Sequence, residues 1–159
     1  MDILVRAPSP GDIGWLISTH GQLYAEQFNF DQKFEIDIAK KVIAFLESSY
    51  DFNMLLIAIT DNKRVGSIAV SLKPDRTAFV NFLLVKTEYR GYGIAKKLLD
   101  KVISHSKNND IKAIRLETYS CLENARRLYS KYGFAMYKKN AAVEKYGQSF
   151  DQEFWEKQL

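Results

Sequence analysis

"NFLLVKTEYRGYGIAKKLLDKVI", residues 81–103, decides the fold. Its start completes an apolar run over 77–85 that reads as a buried strand. After "KTEY" come Gly91, Gly93 and Ala95 within five positions, and then a helical pattern. Ile94, Leu98 and Val102, with Ala95, Leu99 and Ile103, give that helix an apolar face, while Lys96, Lys97, Asp100 and Lys101 lie mostly elsewhere. Glycine at a helix start costs backbone entropy, so a strand, a glycine turn and a helix together suggest a backbone that something must approach. The first N–H groups of a helix lack internal partners, and the helix dipole adds partial positive charge there. Without side chains at 91 and 93 a phosphate can reach those groups, with Arg90, Lys96 and Lys97 adding charge at the rim.

The dinucleotide motif G-x-G-x-x-G fails, because its sixth position is Lys96, and G-x-x-x-x-G-K-[ST] is absent. The pyrophosphate of coenzyme A remains, and so does a tight turn that holds no ligand. On the glycines alone these two readings stand level.

Working outward, "SPGDIGWLISTHGQLYAEQF" opens like a helix, with Ser9 as N-cap, Pro10 in the first turn and Asp12 completing a capping box. Ile13, Leu16, Ile17, Leu23 and Tyr24 repeat at helical spacing, and Gly21 is a point of breakage or bending. A second helix spans 33–48, with Ile38, Val42 and Phe45 as one stripe backed by Ala39, Ile43 and Leu46. Strands at 54–60, 65–73 and 77–85, joined by short polar turns, predict an antiparallel meander. The strand at 111–119 follows a helix and is expected to run parallel to 77–85. "LENARRLYSKYGF" is a short helix closed by Gly133 and Phe134, and the tail holds two strands around Tyr146–Gly147. The order is ααβββαβαββ, an α+β fold with a mixed sheet in a single domain, 1–159.

Composition bounds the function. The chain has 159 residues, 47% hydrophobic and 26% charged, enough for a sizeable core. No apolar run approaches the ~18 residues of a membrane span. "MDILVRAPSPGD" lacks a leader pattern, so a cytoplasmic location is expected. Cys121 is the only cysteine and His20 and His105 the only histidines, so neither a disulfide nor a metal site is expected. The net charge of +4 fits solubility best, with a basic rim for a small anionic cofactor or nucleic-acid binding as other readings.

Arg90-x-x-Gly93-x-Ala95, between "NFLLV" and "KKLLDKVI", resembles the acyl-CoA-binding motif of the GNAT superfamily of N-acetyltransferases. "ENARRLYSKYGF" resembles the later A-x-x-x-Y-x-x-x-G-F signature of that superfamily, and the element order is similar over nearly the whole chain. The two ends, 6–35 and 144–159, resemble the acetyltransferase half of MarR–acetyltransferase fusion proteins, which implies a free-standing catalytic domain. The resemblance implies acetyl-CoA as cosubstrate and an amine acceptor, with nucleic acid and membrane not expected as partners.

The same resemblance assigns roles. Backbone groups of Leu83, Leu84 and Val85 hold the thioester and the pantetheine arm, and the amides of Arg90, Gly91, Tyr92, Gly93, Ile94, Ala95 and Lys96 take the pyrophosphate. Tyr129 aligns with the tyrosine that protonates the departing thiolate; without the motif it reads as a packing residue. Many members carry an asparagine seven residues before this tyrosine, where this chain has Leu122; Asn124 can supply that contact or cap its helix. For the base, Glu117, Glu26 and a chain of waters stand as alternatives. His20, Tyr24, Glu26 and Phe28 are candidates for holding the acceptor, His20 otherwise being a helix-surface residue. Carboxylates among aromatics suit a cationic amine, though a solvated acidic face over a core stripe fits equally. Narrower relatives often have histidine where Glu144 stands. The C-terminal strands and Trp155 leave room for a homodimer. A non-catalytic CoA-binding module and a basic nucleic-acid-binding domain are the competing classes.

Overall fold

In the computed structural model, which describes residues 1–159, the apolar runs resolve into seven strands and four helices. In chain order these are β1 (Leu4–Arg6), α1 (Asp12–Phe28), α2 (Gln32–Glu47), β2 (Met54–Thr60), β3 (Lys63–Leu72), β4 (Ala78–Val85), α3 (Ile94–Asn108), β5 (Ala113–Tyr119), α4 (Glu123–Lys131), β6 (Ala135–Lys145) and β7 (Gln148–Gln158). They form one mixed sheet in the order β1-β2-β3-β4-β5-β7-β6. The meander β2–β3–β4 is antiparallel, as its short turns require. α3 carries the chain back across the sheet, so β5 lies parallel to β4. That parallel pairing is confined to Ala78↔Ile114 and Phe79↔Arg115.

Each sheet face has its own core. On one, Ile94, Leu98, Leu99 and Val102 of α3 pack with Val65, Ile68, Leu116, Tyr129 and Trp155. On the other, Leu16 of α1 and Phe34, Ile38 and Val42 of α2 pack with Leu55, Phe82, Tyr119 and Phe150.

The sequence reading is corrected at several places. β1 was missing from it: three residues show no period, yet Leu4–Arg6 pairs with Ile57–Ile59 of β2, so the order becomes βααβββαβαββ. This edge is pinned by Asp12, which is fully buried and accepts from Arg6 and Arg64, each at 2.6 Å. α1 starts at Asp12, behind a left-handed Gly11 (φ 97°), and not at a Ser9 cap. The reciprocal half of the capping box does form, with the Ser9 N–H donating to Asp12 Oδ2 at 2.7 Å. Gly21 neither breaks nor bends α1; a Cβ there would collide with the Glu35 carboxylate, so glycine lets α1 and α2 close together. Ile43 and Leu46, expected behind the α2 core stripe, are exposed. Trp155 is buried against Tyr129 and offers no dimer surface.

Candidate active site

Beyond Phe79 the outer edge of β4 has no ladder partner, and the gap between β4 and β5 opens into a cavity of about 840 Å³. A bulge re-aims β4 at this point. Asn81 pairs with Ala69 and Leu84 with Ser67, so Phe82 and Leu83 together face Ile68. Phe82 takes a left-handed conformation (φ 55°), and Ser67 Oγ fixes it by donating to the Phe82 carbonyl at 2.7 Å. Such a backbone costs on the order of 1–3 kcal/mol and persists where its surroundings enforce it. Leu83, Leu84 and Val85 line the cavity just after the bulge, on the main-chain edge that β5 leaves unpaired.

The glycine turn stands at one end of this gap. Gly91 (φ 83°) and Gly93 (φ 78°) are left-handed, and a Cβ on either would meet nothing within 4 Å. Backbone conformation, not crowding, therefore requires glycine, and the space over the turn is open. Gly93 N-caps α3, whose first internal bond runs from the Lys97 N–H to the Gly93 carbonyl at 3.0 Å. The N–H groups of Ile94, Ala95 and Lys96 precede that bond and have no partner in the helix. No acidic residue occupies the first turn of α3. Gly91, Gly93, Ile94, Ala95, Lys96 and Arg90 all line the cavity, whereas the Tyr92 side chain projects into solvent. The Arg90 guanidinium donates to Gln27 Oε1 at 3.0 Å, which ties the turn to α1. The donor set and the open turn fit a diphosphate.

Tyr129 comes from the opposite wall. α4 ends in a Schellman motif: the Phe134 N–H donates to the Tyr129 carbonyl at 3.0 Å and the Gly133 N–H to the Ser130 carbonyl at 3.1 Å. This fixes Tyr129, whose ring is buried beside Phe134 and Trp155. Its hydroxyl makes no hydrogen bond to the protein, and it is not sealed off, because the side chain lines the cavity. Burial, with a smaller contribution from Tyr24, pushes the phenol pKa well above its usual value. Asn124 lies exposed at the rim and makes no capping bond to α4.

The α1–α2 side forms a second chamber. His20, Tyr24 and Phe28 line it, with Tyr24 stacked on Phe34 at 4.3 Å between centroids. His20 is not on the helix surface: it is buried, and its Nδ1–H donates to the Leu16 carbonyl at 2.8 Å. Burial lowers its pKa to about 4, opposed in part by that bond, so the ring is neutral. Glu26 is exposed and off the cavity wall, and Glu144 lies on exposed β6, so neither comes together with the site. Glu117 does line it and accepts from Gln152 Nε2 at 2.5 Å.

The sequence reading missed Thr118, Tyr119 and Tyr146, which line the cavity together with Asp37, one of the N-terminal carboxylates set among aromatics. Tyr146 belongs to the turn between β6 and β7, which is fastened over the α1–α2 junction. The Asp31 N–H donates to the Tyr146 carbonyl at 3.0 Å, Gln148 Nε2 to the Asn29 carbonyl at 3.1 Å, and the Tyr146 hydroxyl to Asp37 Oδ2 at 3.0 Å. Burial and the bond to Asp37 push the Tyr146 phenol up to about 12. Burial raises the Asp37 pKa, but Tyr146 and Lys33 outweigh it and the net direction is down. The residue before a turn glycine carries no sequence signal for such a contact. No group of three or more His, Cys, Asp or Glu side chains comes together as a metal site, and no helix is long and apolar enough to cross a membrane.

A parted sheet with a bare helix N-terminus at one end and an aromatic chamber at the other suits an enzyme that carries a group from a long anionic donor to a second substrate. The chain belongs to the acetyltransferase (GNAT) family, whose model matches residues 20–134. N-alpha-acetyltransferase 30 of Saccharomyces cerevisiae is 33% identical over 84 residues, 50% of this chain and 48% of the relative. The chain thus spans about half the length of the curated relatives it matches. A GNAT-family acetyltransferase from Staphylococcus aureus Mu50 superposes with a TM-score of 0.80 at 25% identity, covering 99% of both chains. A Bacillus anthracis structure in complex with acetyl coenzyme A shares the fold at 22% identity, with a TM-score of 0.61 over 67% of this chain and 63% of that one.

Proposed function

We propose that this acetyltransferase moves an acetyl group from acetyl-CoA directly to a primary amine, with Tyr129 as the proton donor to the departing thiolate. The observation that carries the reading is the Tyr129 hydroxyl, held on a buried ring without a protein partner and open to the gap between β4 and β5. The pyrophosphate fits the free amides at the start of α3, and the arm and thioester fit the edge of Leu83–Val85 that β5 leaves unpaired. Bound acetyl-CoA supplies an activated thioester carbonyl. The chain supplies backbone donors beside it, a phenol for the leaving sulfur, and walls that exclude water. Glu117 is the expected base that lines the cavity; it takes a proton from the acceptor's ammonium, directly or through water, and so frees the neutral amine that attacks.

The acceptor enters the chamber formed by Tyr24, Phe28, Phe34 and Tyr146, with Asp37 and Glu117 complementing its positive charge. The turn fastened across the α1–α2 junction walls this chamber and favours a small amine. The resemblance of both chain ends to the acetyltransferase half of MarR fusion proteins is compatible with this reading. A second reading is favoured by the N-alpha-acetyltransferase relatives: the α-amine of a polypeptide, whose pKa of ~8 leaves ~10% neutral at pH 7 against ~0.04% for a lysine. An amine panel followed by free CoA release separates them: polyamines, amino acids and aminoglycosides against peptides with free N-termini and lysine peptides. Highest kcat/KM on a small amine is expected. Preference for peptide N-termini would establish the second reading, and no acetyl transfer to any amine would refute both.

A further inference from the structure

We infer that the acceptor amine also carries a carboxylate, as a free amino acid does, and that Lys41 holds it; this rests on the transfer of acetyl to a small amine read above. Lys41 belongs to α2, and its side chain lines the cavity one helical turn beyond Asp37. It is exposed and has no ion-pair or hydrogen-bond partner, whereas Lys33 on the same helix pairs with Asp37 at 3.5 Å. Of the other cations on the cavity wall, Arg90 and Lys96 flank the glycine turn and Lys131 ends α4. Lys41 is therefore the cation that the α1–α2 side supplies, away from the donor's phosphates.

The carboxylates on the same wall are unequally engaged. Glu123 has Arg127 at 3.5 Å, and Asp37 has Lys33 and the Tyr146 hydroxyl, but Glu117 meets only the uncharged Gln152 amide, at 2.5 Å. One carboxylate and one ammonium are thus left without a countercharge, Glu117 on β5 and Lys41 on α2. Leu23, Tyr24, Phe34 and Ile38 line the chamber with them, and apolar walls extend the reach of both charges. A ligand that is positive at one end and negative at the other meets an attractive group at each. A polyamine finds a single spare carboxylate, and its second ammonium is repelled by Lys41. The N-terminus of α2 is closed by Asp31, whose side chain accepts from the Lys33 N–H at 3.0 Å. A single ammonium with no open helix end beside it matches a carboxylate better than a phosphate dianion.

The test uses amines that differ only at the carboxylate: L-leucine, L-phenylalanine and 4-aminobutanoate, each beside its amide. The quantity read is the ratio of kcat/KM for acid over amide, compared between the parent, Lys41→Met and Lys41→Arg; the comparison cancels the differing basicity of the two amines. Methionine keeps the unbranched stem without the charge, and at an exposed position it leaves the fold intact. For the acid that the parent uses best, the ratio is expected to fall about tenfold in Lys41→Met and to stay within about threefold of the parent in Lys41→Arg. A ratio that is the same in Lys41→Met and parent overturns the inference. So does an equal fall in acetyl-CoA affinity, which would put Lys41 on the donor's anionic end. Acetylation of polyamines or peptide N-termini with no free amino acid used overturns it too, and leaves the transfer reading standing. If no amine of any kind is acetylated, the transfer reading falls and this inference with it.

Discussion

Replacing Tyr129 with phenylalanine separates chemistry from architecture. The hydroxyl has no protein partner, so Tyr129→Phe breaks no hydrogen bond, and the ring contacts with Phe134 and Trp155 survive. Stability should therefore change by less than about 0.5 kcal/mol. Turnover should not survive. A positioned proton donor contributes typically 10²–10⁴-fold. Burial raises the phenol pKa and makes it a weaker acid than tyrosine in water, which places the loss at about 10²–10³-fold, or about 3–4 kcal/mol of barrier. The departing thiolate forms in the same desolvated cavity and is made more basic by the same cause, so the donor remains matched to it. The assay is free CoA release at saturating acetyl-CoA and amine, with acetyl-CoA affinity and melting temperature measured alongside. A kcat within about threefold of the parent would refute the assignment. So would a fall in kcat matched by a fall in melting temperature, which would make Tyr129 a packing residue.

Two further perturbations test the cradle and the chamber. Gly93→Glu places a side chain and a negative charge over the amides of α3, while Gly93→Ala imposes the left-handed strain (φ 78°) alone. Acetyl-CoA should bind at least about tenfold more weakly to the glutamate variant than to the alanine variant, and equal affinities would put the cofactor elsewhere. His20 is lowered from 6.5 to about 4, so the neutral ring belongs to the folded state and the unfolded chain takes up the proton first. Its contribution is complete above pH 6.5 and is lost as pH falls towards 4, a cost of about 3 kcal/mol across that window. Denaturant titrations should show His20→Gln losing correspondingly less stability than the parent between those values; parallel curves would mean that His20 is not buried in solution.

What the sequence made legible followed from strong local signals. The strand at 77–85, the glycine turn and the α3 stripe were readable because backbone and packing rules act within a few residues there. The end of α4 was readable because Gly133 and Phe134 close it in a recognisable way, whereas Tyr129 was singled out only by the resemblance and by its neighbours alone reads as a packing residue. β1 was not, since three residues have no period and their place depends on an ion pair with Asp12. Tyr146 was illegible for a related reason: its bond to Asp37 joins segments far apart in the chain. Glu26 failed in the opposite direction, because a carboxylate between aromatics has the composition of a site and here the orientation of a solvent-facing one.

Only two residue pairs join β4 to β5. Mechanically the seven strands are two ribbons, one of four and one of three, sharing a short seam at the base of a wedge. A cosubstrate lying in that wedge would span both ribbons and act as a removable strut. Its binding would then feed into folding as well as chemistry, since whatever occupies only the closed, native gap adds its binding energy to the stability of the whole sheet.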